Sequence, residues 1–209
     1  MRPSTGLAII GAILAVVSGI EVLTHGPLFR TDITVALHFA DVTPTWSTSF
    51  ASFLNKVGKP AIACFAVGAL GVIATVIRRQ VEPVLMVAIG LGVAGVSTWV
   101  LKALFPRISI FNHQTGSFPS GHTAVAVVAS GLAVYLVLPR RPWRAGAALA
   151  MAAVWGVVMA WGRVVIDVHW LSDVIAGWGI GVVALVLALR TADSPPGIPG
   201  WARRVPADR

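Results

Sequence analysis

His169 and Asp173 stand four residues apart, a spacing that on a helix sets both side chains on one face. In such a pair the carboxylate accepts the proton of one ring nitrogen, fixes the tautomer and leaves the other nitrogen free to attack. The same spacing also serves a helix-stabilising contact or half of a metal site, so the surrounding residues carry the decision. Lys102, Arg107 and Arg163 bring three cations, and the planar fork of Arg matches phosphate oxygens. Pro119-Ser120-Gly121-His122 adds a hydroxyl and, at a helix start, outward-facing backbone N–H groups at the positive end of a dipole. Gly121 lets an anion approach closely, and His122 can protonate a leaving oxygen. These residues form an anion cradle with a nucleophile and an acid. Three cations repel a divalent ion and only Asp173 is well placed to offset them, which disfavours metal binding.

The elements that must hold these residues are apolar. Of 209 residues, 11% are charged and 56% hydrophobic, against roughly 25% charged in a soluble domain. The formal charge of +8 would point to nucleic acid in a soluble chain; here the apolar fraction makes a membrane the better explanation, with no nucleic-acid partner. The single cysteine, Cys64, rules out an intrachain disulfide and cysteine-based metal centres. Six long apolar runs emerge, each almost free of charge: Gly6 to Leu23, Ala61 to Ile77, Pro83 to Leu101, Gly121 to Leu138, Ala145 to Gly162 and Val174 to Leu189. They predict an all-α polytopic membrane protein with six transmembrane helices. Glu21 falls near the end of the first run, where a carboxylate reaches the interface.

If the six helices alternate, ten of the sixteen Lys and Arg residues fall on the side that holds both termini, which should therefore be cytoplasmic. The site residues then lie together at the opposite face, toward the periplasm or exterior. Trp99, Trp143, Trp161 and Trp170 sit near span ends, as in an interfacial belt. Between the first two spans, Thr43-Pro44 reads as a helix start and Trp46, Phe50, Phe53 and Leu54 recur at helical spacing before Gly58. That pattern predicts one short amphipathic helix lying in the outer interface. Residues 1–190 are expected to form the membrane domain and residues 191–209, rich in Pro, Gly and Arg, a cytoplasmic tail.

These motifs resemble those of the type 2 phosphatidic acid phosphatase superfamily, the membrane lipid phosphate phosphatases. Its signature joins a Lys…Arg-x-Arg-Pro segment, Pro-Ser-Gly-His, and Ser-Arg-x5-His-x3-Asp. The second part is intact at Pro119-Ser120-Gly121-His122, and the third appears as Gly162-Arg163-x5-His169-x3-Asp173 with Gly for Ser. In the first part Lys102, Phe105 and Arg107 match, but Ser109-Ile110 stand where Arg-Pro is usual; His113 in the same loop reads either as a partial substitute or, in preference, as an ordinary loop histidine. Asp167 replaces a common Gly. The resemblance implies a metal-independent hydrolase of a lipid monophosphate or diphosphate at the outer membrane face. Polyprenyl diphosphates, phosphatidic acid, phosphatidylglycerol phosphate and phosphorylated glycolipids are the substrates it brings. It implies a phosphohistidine on His169, activation by Asp173, protonation of the leaving group by His122, and phosphate held by Lys102, Arg107, Ser120, Gly121 and Arg163. Two alternatives stand beside this reading: a lipid phosphotransferase working through the same phosphohistidine, and a non-catalytic lipid-binding protein or transporter.

Overall fold

The structure, a computed structural model, describes residues 3–109 and 115–193. It contains eight α-helices: α1 (Pro3–Thr24), α2 (Pro27–Val42), α3 (Thr45–Val57), α4 (Pro60–Arg78), α5 (Glu82–Leu104), α6 (Gly121–Val137), α7 (Arg144–Val165) and α8 (Leu171–Asp193). Among the described residues the β-type pairing is one isolated bridge between Ile108 and Thr115. Proline at the first or second position opens α2, α4 and α5, where its missing N–H costs nothing.

Five helices, α1, α4, α5, α7 and α8, are long and apolar enough to cross a membrane. The outer surfaces are themselves hydrophobic: Val16 on α1, Phe65 and Val76 on α4, Val96 on α5, and Val154 and Val157 on α7 are all exposed. Water does not tolerate apolar side chains over the whole girth of a bundle, whereas hydrocarbon does. The chain is a multi-pass membrane protein. The sixth expected span, α6, is apolar but has only 17 residues, which makes it about 26 Å long and short of a typical 30 Å hydrocarbon core. It is instead the inner helix, with Ala124, Val127, Val128 and Leu132 sealed from the surface. They pack against Leu185 and Val186 of α8, Met86 and Ala94 of α5, and Ala148 and Ala152 of α7 in one core.

The segment between the first two spans departs from expectation. It holds two helices where one was predicted. The second, α3, begins at Thr45 with Pro44 as its cap, one residue later than the Thr43-Pro44 reading. It buries Ser47, Ala51 and Leu54 and leaves Trp46, Phe50 and Phe53 exposed. The first, α2, lacks a clean apolar period because Arg30, Thr31, Asp32 and Thr34 occupy its first two turns. It is fixed by its ends. Pro27 opens it, and the Glu21 carboxylate accepts a hydrogen bond from the Leu28 N–H at 3.0 Å, so Glu21 has a structural task at the end of α1. The tail from residue 194 and His113 both lie outside the described residues.

Candidate active site

Connections at one end of the bundle are tied together by hydrogen bonds to backbone carbonyls. Ser117 N donates to Arg107 O at 3.0 Å, closing the loop between α5 and α6. Ser120 N donates to Asp173 O at 2.9 Å, joining the start of α6 to the first turn of α8. The Trp170 indole donates to Ile108 O at 3.0 Å, joining the α7–α8 loop to the end of α5. Gly177 makes this closeness tolerable, because a Cβ there would sit 2.4 Å from Ser120 O. The motifs are spread from Lys102 to Asp173 in sequence yet share one corner.

A cavity of about 340 Å³ opens at this corner, lined by Lys102, Ser117, Gly121, His122, Arg163 and His169 among others. Behind the His169 ring, Nδ1 lies 3.2 Å from Asp173 Oδ2, an oxygen that also accepts the Trp170 N–H at 3.2 Å. His169 is 6% exposed and Asp173 fully buried, so the pair is shielded from water on every side but the cavity. Burial holds the His169 imidazole below the ordinary histidine value. The charges of Arg163 and Lys102 act in the same sense, while the bond and charge of Asp173 oppose them. Burial favours the neutral ring, with Nδ1 held by the carboxylate and Nε2 left free of it.

The cationic side of the cavity is incompletely satisfied. Arg163 donates to Asn55 Oδ1 on α3, but its buried Nε has no partner, and neither has the buried Ser117 hydroxyl. Both residues line the cavity. Buried donors without acceptors cost free energy, and an anion in the cavity would supply acceptors. Lys102 Nζ is held by the carbonyls of Gly116 and, at 3.4 Å, Ser117. Among the described residues no three His, Cys, Asp or Glu side chains converge as a metal-ligand set.

Of the eight residues singled out in the sequence, five line this cavity: Lys102, Gly121, His122, Arg163 and His169. Asp173 stands behind His169 as expected. Two are placed differently. Ser120 is fully buried as the N-cap of α6, its Oγ accepting from Thr123 N at 3.4 Å and Thr123 Oγ1 at 3.1 Å. Arg107 lies on the far side of Asp173, donating to Asp173 Oδ1 at 2.7 Å and to Asp32 Oδ2 at 2.6 Å. Its guanidinium is committed to two carboxylates and does not line the cavity. Ser109, where the usual pattern has Arg, does line it.

Sequence reasoning missed Asp32, Ser172, Asn55 and Ser117. Asp32 was legible only as an acid in a polar linker, since its helix α2 was not foreseen. Asp167 adopts φ 54°, the left-handed conformation that favours glycine, which explains why glycine is common at that position. Burial raises its carboxyl above the usual range, and its Oδ1 has no partner. A larger cleft, about 480 Å³, is lined by apolar side chains including Leu14, Phe39, Trp161 and Trp178. It has nothing to perform chemistry with, although Val164 on its wall directly follows Arg163.

A helical membrane bundle with a histidine–aspartate pair facing unpaired cationic and hydroxyl donors defines a class: membrane proteins built to handle an anionic ester. Residues 97–194, the part of the chain that carries the site, match the family model of the PAP2 superfamily. Over 153 residues, 68% of this chain and 72% of the relative, it is 29% identical to an Escherichia coli K12 protein named undecaprenyl-diphosphatase YbjG. Over 96 residues it is 31% identical to the lipid A 1-phosphatase of Porphyromonas gingivalis, a stretch that covers 46% of this chain and 21% of that protein. The crystal structure of a transmembrane PAP2-type phosphatidylglycerolphosphate phosphatase from Bacillus subtilis superposes with a TM-score of 0.72 at 21% identity. That match covers 92% of this chain and 97% of the other, and shows that the fold is shared.

Proposed function

We propose that the protein is a metal-independent lipid phosphate phosphatase that works through a phosphohistidine. One observation carries this reading: a buried histidine, oriented by a buried aspartate, lines the same cavity as Lys102, Arg163, His122 and the start of α6. His169 Nε2 attacks phosphorus, and the P–O bond to the lipid breaks. His122 gives its proton to the departing alkoxide or phosphate, and Asp173 stabilises the positive charge that develops on the imidazole. Lys102, Arg163, the Ser117 hydroxyl and the N–H groups at the start of α6 hold the phosphoryl oxygens, doing the electrostatic work a metal would otherwise do. Water then attacks the phosphohistidine, releasing phosphate and restoring the imidazole.

The names of the relatives support a lipid mono- or diphosphate as substrate. The same reading places six helices across the membrane, α6 included, with both termini and the 191–209 tail in the cytoplasm. The site then faces outward at headgroup level, and α3 rests in that interface with Trp46, Phe50 and Phe53 toward the lipid. The test is phosphate release from a panel of phosphatidic acid, phosphatidylglycerol phosphate and a polyprenyl diphosphate, with His169→Ala as control and EDTA in a parallel arm. Release from at least one substrate, abolished by the substitution and insensitive to EDTA, is the expected result. Equal rates for the variant and the wild type would refute the mechanism.

A further inference from the structure

The Arg107 guanidinium lies between two fully buried carboxylates. Its Nη1 donates to Asp173 Oδ1 at 2.7 Å and its Nη2 to Asp32 Oδ2 at 2.6 Å, with the Arg107 side chain itself only 8% exposed. Asp32 also takes hold of the residue beside Asp173. Its Oδ1 accepts the Ser172 N–H at 2.8 Å and its Oδ2 the Ser172 hydroxyl at 2.6 Å, while that hydroxyl accepts from Arg107 at 2.6 Å. The rings of Trp170 and Phe29 close over the guanidinium, with centroids 5.0 Å and 5.4 Å away. None of these groups lines the cavity.

This arrangement has a physical reason. A buried guanidinium with only Asp173 as partner would draw that carboxylate away from His169 and weaken its hold on the imidazole. A second carboxylate on the opposite edge balances the guanidinium, so Asp173 keeps one oxygen for Arg107 and the other for the ring. Asp32 also caps the free N–H of Ser172 at the start of α8, fixing the turn from which Asp173 projects. We propose that Asp32 is a positioning residue for the reaction: through Arg107 and Ser172 it holds the Asp173 carboxylate in register with His169. Arg107 is then a part of this clamp and not of the phosphate grip. The inference rests on the phosphatase reading for its kinetic consequences, but the clamp itself is observable without turnover.

The test uses the full-length protein in detergent micelles and the substitution Asp32→Asn, which keeps the shape and an acceptor oxygen for Ser172 but removes the charge. The charged and titratable groups facing His169 are Asp173 from α8, Arg163 from α7, Lys102 from α5 and His122 from α6. Loss of the Asp32 charge leaves Arg107 less balanced beside Asp173, so a protonated His169 is less favoured. The midpoint of its ring titration, followed by NMR, should move to lower pH, and the acid limb of kcat/KM with it. With KM unchanged, kcat should fall roughly tenfold or more, because the ring is less well held for attack. The double variant Asp32→Asn/Arg107→Gln removes both charges and spares the fold a lone buried cation. Its titration midpoint should return toward the wild type while kcat stays low.

Asp32→Asn with a wild-type midpoint and wild-type kcat would overturn the proposal. If that single variant does not fold, a wild-type kcat in the double variant would do so. A wild-type protein that releases no phosphate would instead overturn the phosphatase reading, and the NMR midpoint of Asp32→Asn would still decide the clamp.

Discussion

Gly177→Ala tests whether the corner that joins α6 to α8 sets the rate. The added Cβ would lie 2.4 Å from the carbonyl oxygen of Ser120, where ordinary contact begins near 3.4 Å. That oxygen belongs to the backbone, accepts the first helical hydrogen bond of α6 from Ala124 N at 3.1 Å, and cannot rotate away as a side chain would. The start of α6 must therefore move by about 1 Å relative to α8, carrying the Gly121 N–H and His122 away from His169. A displacement of that size at a reacting centre costs on the order of 100-fold in rate. Overpacking should cost about 1–3 kcal/mol in stability. The assay is phosphate release per folded molecule, with the thermal midpoint measured on the same sample. Gly95→Ala on α5 is the control, since a Cβ there meets nothing within 4 Å and should leave the rate unchanged. A folded Gly177→Ala protein with the wild-type rate would refute the claim that this contact positions the cradle.

Further outcomes follow from the same geometry. Because burial lowers the His169 pKa, the neutral nucleophile persists as pH falls through the usual histidine value of about 6.5, and the acid limb of kcat/KM in the wild type should lie below that value. A limb above it would contradict a buried neutral imidazole. Asp167→Gly removes a left-handed non-glycine residue and an unpaired buried oxygen, so the thermal midpoint should rise, by an amount corresponding to about 1 kcal/mol; a fall would show that the carboxylate has a partner in the membrane. Ser109→Arg places a guanidinium in the cavity wall and should lower KM more for a diphosphate than for a monophosphate, a contrast that parallel kinetics on the two substrates would reveal.

Much of this site was legible because its chemistry is local. His169 and Asp173 are four residues apart, and Ser120-Gly121-His122 open a helix, so the His169–Asp173 contact and the placing of Gly121 and His122 at the cavity needed only spacing and a helix start. The long apolar runs marked, within a few residues, the five helices long and apolar enough to cross a membrane and the shorter apolar helix α6, since hydrocarbon demands continuous apolar sequence. What remained hidden depended on tertiary contact. Arg107 sits in a motif that points to phosphate, yet its partners are Asp32, 75 positions earlier in the chain, and Asp173, 66 later. Nothing in Arg30-Thr31-Asp32-Ile33 announces that this acid is 1% exposed, because its burial depends on Arg107 and Ser172, which are distant in sequence. The α2 helix itself was invisible for the same reason.

The central claim is a covalent phosphate on His169. The direct measurement is to mix the purified protein with a phosphorus-labelled lipid phosphate, quench with base to preserve an acid-labile phosphoramidate, and locate the label by peptide mass spectrometry. Label on the peptide containing His169, absent from His169→Ala and turned over by water in the wild type, is the predicted result. Steady phosphate release with no label on that peptide, or label that persists in His169→Ala, would contradict it.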